Sequence, residues 1–488
     1  ITVATFHALS LRIVSEQHER LGLAADAHVA DEAERLAALT TVLGDEKAAR
    51  RAARDTAPGE EYLAELHRRG LLDVAELVEL AGRLLEEYPE VRAEYRRRFR
   101  WLFVDEYQDI DPMQYRLLRA LAPADAGLCV IGDPDQSIYR FRGAEVGFFL
   151  RFTTDYPNAQ SYTLSRNYRS TASVVSLAAA VVRPASLVPD REFIATQGAG
   201  TRPSLYRAEH AASEAAEVAR AIDELVGGSS FHSLDTGRVK ATARGHRIGF
   251  GDIAVLYRTD AQSTPLVAAL DRAGVPYQKR GHDPLAKRPG VPELVHELRY
   301  ADSAILNSAP AGDGADAKLD DQLDRAARVL ASTQPAAWQA RELLRPLAER
   351  CADAESFCSQ VLLDTEVDAL DPRADTVSLL TLHAAKGLEF PVVFLIGCDD
   401  RTLPLRFGGD EGRDEEEIRE ERRLLFVGIT RARERLFLSH PRQRNRGETV
   451  LDVRISPFLA GLGAEYLDVG EMACRQRSSP AARQLRLL

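Results

Sequence analysis

Apolar residues recur at helical spacing over the first part of the chain, from about Leu9 to Tyr95. Val74, Leu77, Val78, Ala81, Leu84, Leu85 and Tyr88 fall on one face, Asp73 and Glu76 form a capping box before them, and Pro89 ends the run. This block is predicted to be an all-helical insertion. The pattern then shortens to strand-like runs from Trp101 to Ile131. A further α/β unit follows, with a strand over Ile253 to Tyr257, a helix over Pro265 to Arg272 and a stop at Gly274, so a second sheet is implied. Helical patterning fills most of Ala301 to Asp371. Strands return at Val377 to Leu382 and Val392 to Ile396, and a charged helix over Asp414 to Thr430 leads to a last strand, Arg435 to Ser439. The segments Gly227 to Gly251 and Ser308 to Asp316, rich in Gly, Ser, Ala and Asp, read as loops.

The strand-like runs end in polar turns. Trp101-Leu102-Phe103 leads into V-D-E-Y-Q-D at Val104 to Asp109, which places Asp105 and Glu106 at the carboxyl end of what reads as a buried strand. In open α/β sheets ligands sit beyond the carboxyl ends of strands, so a carboxylate there can meet a phosphate-bound metal ion. Leu128 to Ile131 supplies a second turn, Gly132-Asp133-Pro134-Asp135-Gln136-Ser137, to the same edge. This is the layout of a magnesium-dependent nucleotide triphosphatase.

A chain of 488 residues is expected to form at least two domains. With 45% hydrophobic and 28% charged residues its composition is that of an ordinary globular protein. No apolar run approaches the roughly 20 residues of a membrane span, so no membrane partner is expected. Cys129, Cys351, Cys358, Cys398 and Cys474 lack paired metal-ligand spacing and suit a reducing, cytoplasmic setting. A net charge of -11 would repel phosphates at long range, so nucleic-acid contact must come from local basic patches.

Taken together in order, the motifs resemble the superfamily 1 DNA helicases of the UvrD/Rep/PcrA type. They are Thr5-Phe6-His7, D-E-Y-Q-D at Asp105 to Asp109, G-D-P-D-Q-S-I-Y-R-F-R-G at Gly132 to Gly143 and N-Y-R-S at Asn167 to Ser170. T-L-H-A-A-K-G-L-E-F at Thr381 to Phe390 and V-G-I-T-R-A at Val427 to Ala432 complete the set. The resemblance implies an α/β protein of two RecA-like parallel-sheet motor domains, the first incomplete, each with a helical insertion. The first motor domain is expected over residues 1–9 and 96–157, with its insertion over 10–95. The second is expected over 158–284 and 372–468, with a short insertion over 285–371, and 469–488 is left as a tail.

The resemblance also implies roles. ATP and Mg2+ are the expected cofactors, with ATP at the interface of the motor domains and single-stranded DNA across their tops. Asp105 would hold the magnesium shell and Glu106 would orient or deprotonate the attacking water. Gln136 resembles the residue that senses the γ-phosphate, and Arg169 and Arg431 resemble the arginines that reach it. Guanidinium forks suit that task because they bind phosphate oxygens bidentately. For Arg431, taken alone, a cation matching a helix end is an equal reading. Tyr168 is similar in position to an adenine-stacking tyrosine, and Glu389 to a ribose acceptor. DNA contact is implied for Phe6, His7, Tyr139, Phe141, Arg142 and His383, since single strands are gripped by aromatic stacking and cationic side chains.

Some features depart from that family. Phe141 stands where tryptophan is usual, Gly281 to Val291 lacks the usual phenylalanine and acidic helix start, and the region to Asp371 is short. No G-x-x-x-x-G-K-[ST] loop occurs in the 488 residues. Such a loop supplies the amides and lysine that cradle phosphates, so the chain as given is not expected to hydrolyse ATP well. Ile1 to Thr5 reads as the end of a strand, and a helicase truncated at its front is the expected explanation. The implied activity is 3′-to-5′ translocation on single-stranded DNA and at single-strand/duplex junctions, in repair or replication and with proteins of those pathways. A subunit of a helicase–nuclease complex and a non-catalytic DNA-binding scaffold are the alternatives. Arg96-Arg97-Arg98-Phe99-Arg100 reads as a solvated helix end, Asp414 to Glu417 as a helix N-terminus, and Arg475, Arg477, Arg483 and Arg486 as a basic tail.

Overall fold

Five consecutive buried residues, Ile253–Tyr257, form a strand at the heart of the larger sheet. A strand covered on both faces must be apolar throughout, and this one is. In the computed structural model the described residues are 1–53, 59–123, 127–227, 248–281, 283–300, 319–371, 373–405, 414–446 and 449–470. They divide into two compact units, Ile1–Tyr162 with Gly281–Asp371, and Thr163–Arg280 with Pro372–Leu488.

The first unit is mainly helical. The helix Leu77–Glu87 buries Leu77, Val78, Leu80, Ala81, Leu84 and Leu85, each large side chain stabilising by roughly 1.5–3 kcal/mol. Its start is the expected box: Asp73 accepts from the Ala75 amide at 2.9 Å while Glu76 accepts from the Asp73 amide at 2.9 Å. Pro89 opens the next helix, Pro89–Arg98. The block is not all-helical, however. His28–Val29 (β1) and Leu71–Leu72 (β2) pair in parallel. Ile1–Thr5 forms no strand either; Thr5 instead caps the helix Phe6–Glu16, its hydroxyl accepting from the Ala8 amide at 3.2 Å.

Two further strands, Trp101–Val104 (β3) and Gly127–Val130 (β4), run parallel with Val104 opposite Val130. Here the expectation of a buried strand fails. Val104 is buried, but Trp101 is 74% and Phe103 72% exposed. Alternate residues of a strand point to opposite faces, and only the Val104 face of β3 is covered by the described residues. Residues 285–371 also belong to this unit. The helices Val291–Tyr300, Leu319–Leu330, Ala337–Ala348 and Ala354–Leu363 enclose their own core, and Leu362 joins the core built on Leu77–Glu87.

The second unit holds Arg166–Asn167 (β5) paired with Ile194–Ala195 (β6), and a larger sheet. That sheet takes Ser204–His210 (β7), Ile253–Tyr257 (β8), Tyr277–Arg280 (β9), Val377–Thr381 (β10), Phe390–Leu395 (β11), Ala432–Arg446 (β12), Thr449–Asp452 (β13) and Asp468–Gly470 (β14). Its order is β14-β7-β12-β11-β8-β10-β9, with β13 antiparallel on β12 and the other pairings parallel. The helix Ser263–Ala273 ends on Gly274 at φ 63°, as its sequence predicts. The helix Glu415–Ile429 starts on the Asp414 side chain, which accepts from the Glu416 amide at 3.2 Å. β12 is longer than expected and not the last strand, because its polar half, His440 to Arg446, pairs with β7 and β13. Of the expected loop Gly227 to Gly251, residues 228–247 lie outside the described residues and Phe250–Asp252 forms a short 3-10 turn at its end; the expected loop Ser308 to Asp316, Cys474 and the basic tail also lie outside the described residues.

Candidate functional site

In the first unit the chain leaves β3 and β4 side by side. The Ile131 amide donates to Val104 O at 2.8 Å and the Tyr107 amide to Ile131 O at 3.0 Å, so the pairing continues into both turns. Asp105 and Glu106 follow at the carboxyl end of β3, and both are exposed. Asp105 Oδ1 accepts from the Glu106 amide at 2.9 Å. Glu106 sits at φ 49°, ψ 39°, a left-handed conformation that costs a residue with a Cβ about 1–3 kcal/mol and gathers at functional sites.

Gln108, fully buried, ties this turn to the second one. Its Nε2 donates to the Glu106 carboxylate and, at 3.2 Å, to Asp109 Oδ2; its Oε1 accepts from the Asp133 amide at 3.0 Å. Asp133 in turn accepts from Gln136 Nε2 at 2.9 Å and from the Asp135 amide at 3.1 Å. Glu106 and Gln136, which stand 30 positions apart in sequence, are thus joined by a hydrogen-bonded path that runs through the Gln108 side chain and the main chain and side chain of Asp133.

The aromatic residues follow on the next turn. The Tyr139 and Phe141 rings lie 6.2 Å apart, and the Arg142 guanidinium stands 6.0 Å from the first and 5.7 Å from the second. Phe141 is 65% exposed, as a stacking surface must be, whereas Tyr139 is half-buried. Burial, reinforced by the Asp109 carboxylate, pushes the Tyr139 phenol well above its ordinary range and keeps it neutral. Phe6 packs against two core clusters of this unit. Burial lowers the His7 pKa below its ordinary value, partly offset by Asp111, which caps the helix Pro112–Leu121.

In the second unit the N-Y-R-S turn is held by its own first residue. Asn167 Oδ1 accepts from the amides of Arg169 at 3.0 Å and Ser170 at 2.9 Å, and Ser170 Oγ donates to Ala432 O at 2.7 Å. The Thr171 amide donates to Arg433 O at 2.9 Å. These bonds bring the turn against the T-R-A motif. Arg169 Nε lies 2.5 Å from Glu389 Oε2, and Arg433 reaches the other carboxylate oxygen at 3.5 Å. Tyr168 leaves 67% of its surface exposed.

Arg431 behaves differently. It is buried, and its guanidinium donates to Val427 O at 2.9 Å, Leu388 O at 3.0 Å and Thr430 Oγ1 at 3.0 Å. It therefore satisfies one carbonyl at the end of the helix Glu415–Ile429, where a cation also matches the macrodipole, and one in the turn that leads to β11. Its own carbonyl accepts from the Phe390 amide at 2.9 Å, which sets it beside Glu389. His383 sits two residues past β10, half-buried in the turn that leads to Glu389.

The first unit thus gathers Asp105, Glu106 and Gln136, with Tyr139, Phe141 and Arg142 nearby in the chain. The second gathers Arg169, Glu389 and Arg431, with Tyr168 on the same turn as Arg169. Sequence reasoning passed over Gln108, Ser170 and Arg433. Gln108 stands inside D-E-Y-Q-D and Ser170 inside N-Y-R-S, so motif membership was an available signal; Arg433 lies one residue beyond its motif.

Parallel α/β sheets carrying this ordered motif set at their strand ends define a superfamily 1 helicase. The chain belongs to the UvrD-like family: the profile of the UvrD/REP helicase N-terminal domain matches residues 46–157, and that of the UvrD-like helicase C-terminal domain matches 162–305 and 348–443. It is 28% identical to the ATP-dependent DNA helicase PcrA of Bacillus subtilis (strain 168), over 96% of this chain and 76% of that protein. It is 31% identical to the ATP-dependent DNA helicase UvrD1 of Mycobacterium tuberculosis (strain ATCC 25618 / H37Rv), over 84% of this chain and 63% of that protein. With UvrD2 of the same strain it shares 35% identity, over 77% of this chain and 52% of that protein.

Proposed function

We propose that this chain is motor machinery of an ATP-dependent DNA helicase that moves 3′ to 5′ along single-stranded DNA in repair or replication. The observation that carries the reading is the pair of linked turns beyond β3 and β4, where the exposed carboxylate of Glu106 accepts from a buried amide beside exposed Asp105. The relatives whose names state ATP-dependent DNA helicase activity support it.

Asp105 is the residue that would hold Mg2+. Magnesium is bound through one or two carboxylates plus phosphate oxygens and water, so an exposed Asp105 suffices; among the described residues no group of three or more His, Cys, Asp or Glu is placed to hold a metal ion, and this mode of binding requires none. When bound, the ion neutralises charge on the phosphates. Glu106 would orient the attacking water and accept its proton, Gln136 would contact the γ-phosphate, and Arg169 would stabilise charge on it once released from Glu389. The exposed ring of Tyr168 would stack on adenine. Phe141 with Arg142 would take a base and a backbone phosphate. These 488 residues contain no phosphate-cradling G-x-x-x-x-G-K-[ST] loop, so turnover is assigned to a protein that also presents one.

Strand displacement by the full-length protein tests the reading. With ATP and Mg2+, duplexes bearing a 3′ single-stranded tail should open and those bearing a 5′ tail should not. Displacement from the 5′-tailed substrate alone would overturn the polarity. DNA binding without any affinity for ATP would leave the scaffold reading instead.

A further inference from the structure

Gln108 lies between the two polar turns and is not among the residues expected to touch ATP, metal or DNA. Its carboxamide has one chemically allowed orientation. The Asp133 amide can only donate, so the oxygen must face it; the carboxylates of Glu106 and Asp109 accept, so the NH2 group must face them. Both ends are used and the side chain is fully buried. The main chain is engaged too, since Gln108 O accepts from Ser137 Oγ at 3.4 Å.

The second turn is shaped around this amide. A Cβ on Gly132 would stand 2.4 Å from Gln108 Oε1 and 2.9 Å from the Phe149 ring, so only glycine lets the two turns approach this closely. The left-handed backbone at Glu106 adds a separate indication, because strain of this kind persists only where the surroundings enforce it.

We propose that Gln108 is a positioning residue that aims the Glu106 carboxylate and couples it, through Asp133, to Gln136. The group assigned to water and the group assigned to the γ-phosphate then shift together. The inference rests on the functional reading above. It assigns Gln108 no contact with the reacting atoms.

The test is single-turnover ATP hydrolysis by the full-length protein with saturating single-stranded DNA. The variants are Gln108→Met, Gln108→Glu, Glu106→Gln and the Gln108→Met/Glu106→Gln pair. Methionine keeps the volume without hydrogen bonds. Glutamate keeps the length and the acceptor towards Asp133 but sets a carboxylate oxygen against Glu106 and Asp109.

Both Gln108 variants should lose about 10- to 100-fold in rate, the loss expected from a misplaced reacting group, with glutamate at least as harmful as methionine. ATP and oligonucleotide affinities should not change. In the Glu106→Gln background the loss from Gln108→Met should vanish, because the group it aims is gone. Equal losses in both backgrounds would mean packing alone and overturn the proposal, as would wild-type rates in the Gln108 variants while Glu106→Gln is inactive. If Glu106→Gln itself turns over normally, the functional reading fails first. Should the Gln108 variants not fold, Gly132→Ala presses on the amide from the other turn and should show the same rate loss; full activity there would also overturn the proposal.

Discussion

The acid turn of the first unit and the arginine cluster of the second are built on opposite plans. In the first, a buried neutral amide, Gln108, holds a carboxylate that stays exposed, Glu106. In the second, a buried cation, Arg431, donates to the carbonyls of Val427 and Leu388, and the exposed charges beside it, Arg169 and Glu389, pair with each other. The difference separates two duties. Exposed charges cost little in stability and are available to a ligand, whereas buried polar groups form the frame and are costly to remove.

The contrast breaks most visibly at Glu106. Glu106→Gln in the full-length protein should leave ATP binding intact and lower DNA-stimulated turnover by about 10³-fold, the range for loss of a general base. Normal turnover in a steady-state assay would refute the assignment. Arg169→Ala comes next, with an expected loss of about 10²-fold in turnover, as for removal of one charge-stabilising donor. Its thermal midpoint should hardly move, because the Arg169–Glu389 pair is about 40% exposed on each side.

Arg431→Ala should do the reverse in calorimetry. Removing the guanidinium leaves Leu388 O without that donor and Val427 O with the Thr430 hydroxyl, which should destabilise the second unit by about 2 kcal/mol. A variant as stable as the parent would show that Arg431 is not part of the frame.

Glu34 sharpens the comparison from outside both regions. Burial opposes its ionisation, yet hydrogen bonds from His28, Tyr300 and the Asp31 amide hold its carboxyl at about 2. The hydrogen bond to Glu34 also raises the His28 pKa, against burial. A depressed carboxyl contributes stability above its unfolded pKa and loses it as pH falls. The first unit should therefore weaken by about 2 kcal/mol between pH 4.5 and 2, and Glu34→Gln should flatten that slope. The contribution of His28 has the opposite sign, present below pH 6.5 and lost as pH rises through its folded value. The smallest effect is expected at Phe141→Ala, about a 10-fold loss of affinity for a single-stranded oligonucleotide, one stacked base. Fluorescence anisotropy reads it directly.

Local chemistry was legible in the sequence, and non-local cover was not. The β8 strand, the Asp73–Glu76 box, the Gly274 stop and the Asp414 start all follow from residues within a few positions of one another. The exposure of Trp101 and Phe103 depends on what lies across the sheet, which alternation cannot report. β12 was read short because its second half is polar and becomes a strand only through β7 and β13. The site divides in the same way. Asp105, Glu106, Gln136 and the arginines were carried by motifs, whereas the role of Gln108 arises from Asp133, 25 positions away. The burial of Arg431 likewise depends on Leu388, 43 positions away.

The most direct measurement of the central claim is the ATP hydrolysis rate of the full-length protein as a single-stranded oligonucleotide is titrated in. The rate should rise with oligonucleotide and saturate, and should stay at its basal level in Glu106→Gln. A rate indifferent to DNA, or one that rises equally in Glu106→Gln, would contradict that claim.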